Sequence, residues 1–128
     1  MTRLGVRAGV DLVDAGRMQR MLEEDASFLD ISFTPEERTD CAGDASRLAS
    51  RWAAKEATMK ALGRGIGVIS PLDVEIVADS LGAPALIIRR SALERSEELG
   101  VSGWTVTLGH ESDMAIAVVI AIIGGECE

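Results

Sequence analysis

Arg51-Trp52-Ala53-Ala54-Lys55-Glu56-Ala57-Thr58-Met59-Lys60-Ala61-Leu62-Gly63 is the stretch whose reading decides the fold. Nearly every residue in it favours a helix, and Gly63 is a natural stop. At roughly 100° per residue, Leu48, Trp52, Met59 and Leu62 gather in one arc, which Ala49, Ala53 and Ala57 widen. Glu56 and Lys60 point into the middle of that arc. Arg47, Arg51, Lys55 and Thr58 point elsewhere, toward expected solvent. Burying an ion without a partner costs several kcal/mol or more, so charges on the apolar face call for a reason. One reason is an i, i+4 ion pair in the favourable order, with Glu first, worth a few tenths of a kcal/mol. Another is a functional site.

Upstream of this helix, residues 4 to 13 read as a strand, with Val10, Leu12 and Val13 as its apolar members. Asp11 lies inside the run, where Asp is disfavoured. It is a solvent-facing strand residue, a turn former beside Gly9, or a ligand held on a rigid element. From Asp14, a candidate N-cap, the pattern turns helical. Met18, Met21 and Leu22 share one side, flanked by Arg17 and Arg20. That side is either ordinary core or an adaptable docking surface. Phe33-Thr34-Pro35-Glu36-Glu37 marks a second helix start, with Thr34 as N-cap, Pro35 at the first position and Glu37 closing a capping box. Asp44 or Ser46 then caps the long helix.

After that helix, Gly63-Arg64-Gly65-Ile66-Gly67 makes a loop whose backbone can approach a ligand closely. The remainder is rich in strands. Residues 73 to 78 alternate, Gly82-Ala83-Pro84 turns the chain, and residues 85 to 88 return as a hairpin. Ser91 is expected to cap a helix reaching Leu99 and stopped by Gly100. Residues 104 to 108 alternate again, residues 109 to 113 turn, and the run from Met114 to Ile123 is apolar on both faces, which suits a central strand or a subunit interface. The order indicates an α+β fold with a mostly antiparallel sheet. His110, the only histidine, lies at a strand end; such a histidine is a surface residue unless a phosphate or an acid/base partner is near.

Composition narrows the function. A chain of 128 residues is sized for one domain, and 47% hydrophobic residues supply a core that 3% aromatics leave mainly aliphatic. The net charge of -8 argues against general nucleic-acid binding, which needs a basic footprint. Cys41 and Cys127 form no C-x-x-C motif, so reduced thiols in a cytoplasmic protein are expected. Arg3, Arg7 and Asp11 interrupt any signal-peptide core, and the apolar run from Met114 is about half a bilayer span, so no membrane association is expected. Asp11 and Glu56 together make two hard oxygen ligands, with Lys60 one turn beyond. That set suits Mg²⁺-dependent chemistry on a phosphate or pyrophosphate.

Gly9-Val10-Asp11-Leu12-Val13 followed by Arg17 resembles the first motif of the holo-acyl-carrier-protein synthases, the short bacterial type of 4′-phosphopantetheinyl transferase. Arg51 to Ala57, then Lys60-Ala61-Leu62-Gly63 and Gly65-Ile66-Gly67, resemble the second. Phe33-Thr34 with Glu37 is similar to a smaller motif between them, and Val106-Thr107-Leu108-Gly109-His110 falls where that family has a serine-rich strand ending in His. The resemblance covers nearly the whole chain in order and spacing.

The resemblance implies one transferase domain over residues 1–128, in the phosphopantetheinyl transferase fold, with a mostly antiparallel sheet against a long central helix. The implied reaction moves the phosphopantetheine arm of coenzyme A, the co-substrate, to a serine of acyl carrier protein. Adenosine 3′,5′-bisphosphate is released. By the same resemblance, Asp11 and Glu56 are the Mg²⁺ ligands, Lys60 is the lysine at the pyrophosphate, and all three are catalytic. Arg51, Gly63, Gly65, Thr107 and His110, with Lys60, would bind the coenzyme. Arg17, Arg20, Met18 and Met21 would dock the carrier protein, and a homotrimer would place each active site between two subunits. Gly109 replaces a hydroxyl residue common in the family, and Ala83 a common lysine. Two other readings are a non-catalytic trimeric binding module and a different Mg²⁺-dependent nucleotide pyrophosphate enzyme.

Overall fold

The computed structural model describes residues 4–124; Cys127 lies outside them. Strand β1 (Leu4–Asp14) leads into helices α1 (Ala15–Glu24), α2 (Phe28–Ser32), α3 (Pro35–Cys41) and α4 (Ala45–Leu62). A 3-10 turn (Pro71–Asp73) precedes the hairpin β2 (Val74–Ala78) and β3 (Pro84–Ile88), then α5 (Arg90–Leu99), β4 (Val101–Glu111) and β5 (Met114–Gly124). The strands form two antiparallel sheets, β1-β5-β4 and β2-β3, so β5 is the central strand.

Local chemistry explains most element ends. The Asp14 carboxylate accepts from Arg17 N at 3.0 Å and starts α1, and Asp44 rather than Ser46 does the same for α4 through Arg47 N. The capping box forms as its residues dictate: Thr34 Oγ1 accepts from Glu37 N, and Glu37 Oε1 accepts from Thr34 N at 2.9 Å. Gly63 and Gly100 close their helices in the left-handed conformation, at φ 71° and 75°. Two expectations change. Ser91 does not cap α5; its Oγ donates to Asp73 Oδ2 at 2.5 Å, tying the helix start to the 3-10 turn. Strand β4 continues through Gly109 and His110 to Glu111, because its ladder with β5 runs on to Met114.

Strand alternation divides the large sheet into two faces. On the inner face, Ala115, Ala117, Val119 and Ala121 of β5 are buried against α4, with Gly9 and Val13 of β1 and Val106 of β4. These side chains are small, and so are the α4 residues that meet them, Ala53, Ala54, Ala57 and Ala61. The contact is closest at Gly9. A Cβ there would sit 1.8 Å from Ala57 O, inside the backbone of the helix. On the outer face, Leu4, Val6, Val10 and Leu12 of β1 and Val118 and Ile122 of β5 are exposed.

Helix α4 is buried around most of its circumference, which overturns part of its sequence reading. Lys55 and Thr58, expected in solvent, are fully buried, whereas Lys60 is exposed. The sheet covers one side of the helix, and α3, the 3-10 turn and β2 approach the other. Lys55 Nζ is satisfied there by Glu37 Oε1 at 2.8 Å, Pro71 O at 2.8 Å and Val74 O at 2.5 Å. Glu37 also accepts from Ile76 N at 2.9 Å, so its capping carboxylate ties α3, α4 and β2 together. Burial pulls the Lys55 ammonium below its ordinary pKa, and the Glu37 charge opposes that shift. Beside the pair, Phe28 packs edge-on against Phe33 and Trp52, with Phe28 and Trp52 centroids 5.2 Å apart, and Phe33 and Trp52 meet at a tilt.

Gly9→Ala should destabilise the protein by more than the ~1–3 kcal/mol typical of overpacking, because backbone rather than a side chain must move. Urea unfolding checks this, and a variant with an unchanged midpoint would contradict the close approach. Lys55→Met should cost about 3–5 kcal/mol by leaving Glu37 charged and unpaired. In the same assay, Lys55→Met with Glu37→Gln should lose less than the sum of the single changes.

Candidate active site

Asp11 shares the inner face of β1 with Gly9, so the close contact of that strand with α4 brings its carboxylate to the helix. Lys60 Nζ reaches it there, donating to Asp11 Oδ1 at 2.9 Å and to Val10 O at 3.0 Å. The i, i+4 pair between Glu56 and Lys60 does not form. The lysine bridges helix to strand instead, and Glu56 has no ion-pair partner among the described residues. Glu56 is half-buried, and its carboxyl is pushed above its ordinary pKa of 4.5 first by burial and then by the Asp11 charge. Lys60 and Arg17 pull in the other direction.

Glu56 and Lys60 border an open cleft of about 250 Å³, with Met59, Gly63, Arg64 and Gly65, and Asp11 reaches it through its ion pair with Lys60. Gly63 and Gly65 line the same cleft as Glu56 and Lys60. The chemistry available is that of two carboxylates beside a partly exposed ammonium, with glycine backbone at the rim. Among the described residues no group of three His, Cys, Asp or Glu is placed to hold a metal ion. A cation here would therefore have two protein carboxylates and take its remaining ligands from substrate and water.

Other expected site residues lie apart. Arg51 is about 14 Å from Lys60 along the helix axis at 1.5 Å per residue. Its Nε is buried without a hydrogen-bond partner, beside a cavity of about 100 Å³ that includes Leu108 and the β2–β3 hairpin. His110 is near the same end of α4, with Nε2 2.8 Å from Ser50 Oγ. Ser50 is a contact that the sequence reading missed; its only signal is a hydroxyl residue next to Arg51 in an alanine-rich helix. Thr107 lies on the outer face of β4, opposite the face that packs on α4. The expected site residues thus fall into separate groups along α4 and β4.

The proposed docking helix needs a correction. Met18 is fully buried and belongs to the core, because α1 packs that side against α4. Arg17 and Arg20 are exposed and Met21 is half-buried, so these three remain at the surface.

Residues 7–119 match the 4′-phosphopantetheinyl transferase superfamily. A holo-[acyl-carrier-protein] synthase from Syntrophus aciditrophicus is 44% identical over 117 residues, spanning 88% of this chain and 91% of that protein. One from Geotalea daltonii is 41% identical, spanning 88% of this chain and 94% of that protein. Among solved structures, the synthase from Neisseria meningitidis aligns with a TM-score of 0.81 at 34% identity, over 90% of this chain and 96% of that one. The Helicobacter pylori synthase in complex with coenzyme A aligns at 0.80 with 28% identity, over 89% and 98%. The chain therefore belongs to the 4′-phosphopantetheinyl transferase superfamily, among its holo-[acyl-carrier-protein] synthases.

Proposed function

We infer that the chain transfers the 4′-phosphopantetheine group of coenzyme A to a serine of an apo acyl carrier protein. Within the family, the observation that carries this reading is the Asp11–Glu56–Lys60 cluster at the glycine-rimmed cleft. The serine oxygen forms a bond to the phosphorus that bears the pantetheine arm, and the anhydride bond to adenosine 3′,5′-bisphosphate breaks.

The donor set fits Mg²⁺. Asp11 and Glu56 offer hard oxygens, and Glu56, raised in pKa first by burial and then by the Asp11 charge, makes no ion pair among the described residues and is left available to a cation. Those two residues would hold the ion, whose chemistry is to neutralise charge at the pyrophosphate. Lys60, with its side chain 56% exposed on a flexible stem, turns from Asp11 toward the departing phosphate. The backbone of Gly63 and Gly65 lets the phosphates come close. Arg51, Thr107 and His110 serve the nucleotide phosphates of a coenzyme shared between two chains.

Two features of one chain support a homotrimer with active sites between subunits. Its functional residues are split along α4, and the outer face of its large sheet is apolar and uncovered. Arg17, Arg20 and Met21 dock the acidic carrier protein, and Arg17 is near enough to Glu56 to act on its charge. No helix among the described residues is long and apolar enough to cross a membrane, and we place the enzyme in the cytoplasm.

Incubation with coenzyme A, Mg²⁺ and apo carrier protein should add a phosphopantetheine mass to the carrier; no gain with any carrier tried would overturn the reading. Glu56→Gln should lower turnover by about 100-fold or more. The same variant should be the more stable protein in metal-free buffer at neutral pH. A raised folded-state pKa means that ionised Glu56 costs stability fully above that value and nothing below 4.5. The melting-temperature advantage of Glu56→Gln should therefore appear as pH rises from below 4.5 to neutrality, and an equal difference at both ends would contradict the shift. Val118→Asp on the outer sheet face should give monomers by sedimentation and abolish transfer; a trimeric, active variant would place the subunit interface elsewhere.

A further inference from the structure

The C-terminal end of α4 raises the question of what holds the cleft rim in shape. The last four carbonyls of a helix have no partner within it. Here the Gly63 and Arg64 amides close back onto Lys60 O at 3.1 Å and Met59 O at 3.2 Å. The other two carbonyls are taken by arginines from elsewhere in the fold. Arg7 of β1 donates its Nε–H to Ala61 O at 2.6 Å, and Arg95 of α5 donates its Nε–H to Leu62 O at 2.8 Å. Both positive groups stand where the helix dipole favours them.

Arg7 does more than satisfy a carbonyl. A Cβ on Gly63 would lie 2.8 Å from Arg7 Nη2, so the guanidinium packs on the backbone of the cleft rim. Arg7 also shares the inner face of β1 with Asp11. It therefore links the strand that carries one carboxylate to the turn that follows Lys60. Arg95 fixes the same turn from the opposite element and is itself steadied by Glu98 at 3.2 Å.

We propose that Arg7 and Arg95 are positioning residues of the transfer site: together they hold the last turn of α4 and the Gly63–Gly65 backbone in the shape that receives the phosphates of coenzyme A. Neither touches the reacting atoms. The proposal rests on the function inferred above.

The experiment uses the full chain and compares Arg7→Met, Arg95→Met and Arg7→Lys with wild type. Hydrogen exchange of the Gly63, Arg64, Val68 and Ile69 amides, which bond within this segment, reads the loop without substrate. Each Met variant should exchange about tenfold faster there, with the β5 amides unchanged, as expected for one lost charge-assisted hydrogen bond. KM for coenzyme A should rise by about the same factor while KM for the carrier protein stays constant, and Arg7→Lys should recover part of the loss. An unchanged KM for coenzyme A, or equal rises for both substrates, would overturn the proposal, since a purely structural cap predicts no such selectivity. If wild type transferred nothing, the inferred function would fail on its own. The exchange rates, with coenzyme A affinity by calorimetry in place of KM, would still decide the role of the two arginines.

Discussion

The distance between α4 and β1 governs the site. At Gly9 the strand lies against the helix backbone with no side chain between them, and alanines line the helix and sheet on either side. Such a contact buries modest area per residue, and its effect is to set position. Asp11 is two residues from Gly9 on the same strand face, so its carboxylate is delivered to the helix at the level of Lys60. A larger residue at position 9 would lift the strand away and with it one of the two carboxylates. The placement of the Asp11 carboxylate thus depends on a residue with no functional group.

The two lysines of the helix show how environment sorts identical side chains. Lys55 is enclosed, and its ammonium is held by one carboxylate and two carbonyls. It fastens α3, β2 and the 3-10 turn to the helix. Lys60, five residues on, stands at the open end of the cleft with one carboxylate and one carbonyl. Its partners are close enough to orient it, and its own side chain is exposed enough to leave them. The cost of moving charge from water into the interior accounts for the difference: deep burial demands full satisfaction, and a half-open site tolerates exchange.

Much of this was legible in the sequence, for identifiable reasons. Thr34 to Glu37 announced its cap because capping is a local interaction between residues three apart. Asp11 stood out because an acid within a strand needs an explanation. The apolar run from Met114 suggested a central strand because both of its faces were apolar. What stayed hidden depended on elements distant in sequence. The burial of Lys55 follows from the hairpin closing over the far side of α4, and no periodicity within the helix reports that. Lys60 chose Asp11 over Glu56 because strand and helix meet at Gly9, although the local spacing favoured Glu56. Met18 shares its spacing with Met21 and Leu22, and only the packing of α1 on α4 separates core from surface. The separation of Arg51 and His110 from the carboxylates is likewise a property of the assembled chain.

Lys60 has one more consequence. Its ammonium lies against Asp11 and eases the charge on Glu56, so the empty site carries its own counter-ion. Two carboxylates left alone there would repel each other across the strand–helix contact, and Lys60 relieves that repulsion from within the chain. The strand–helix contact thereby stands on the chain's own charges, and a chelator would leave the architecture standing.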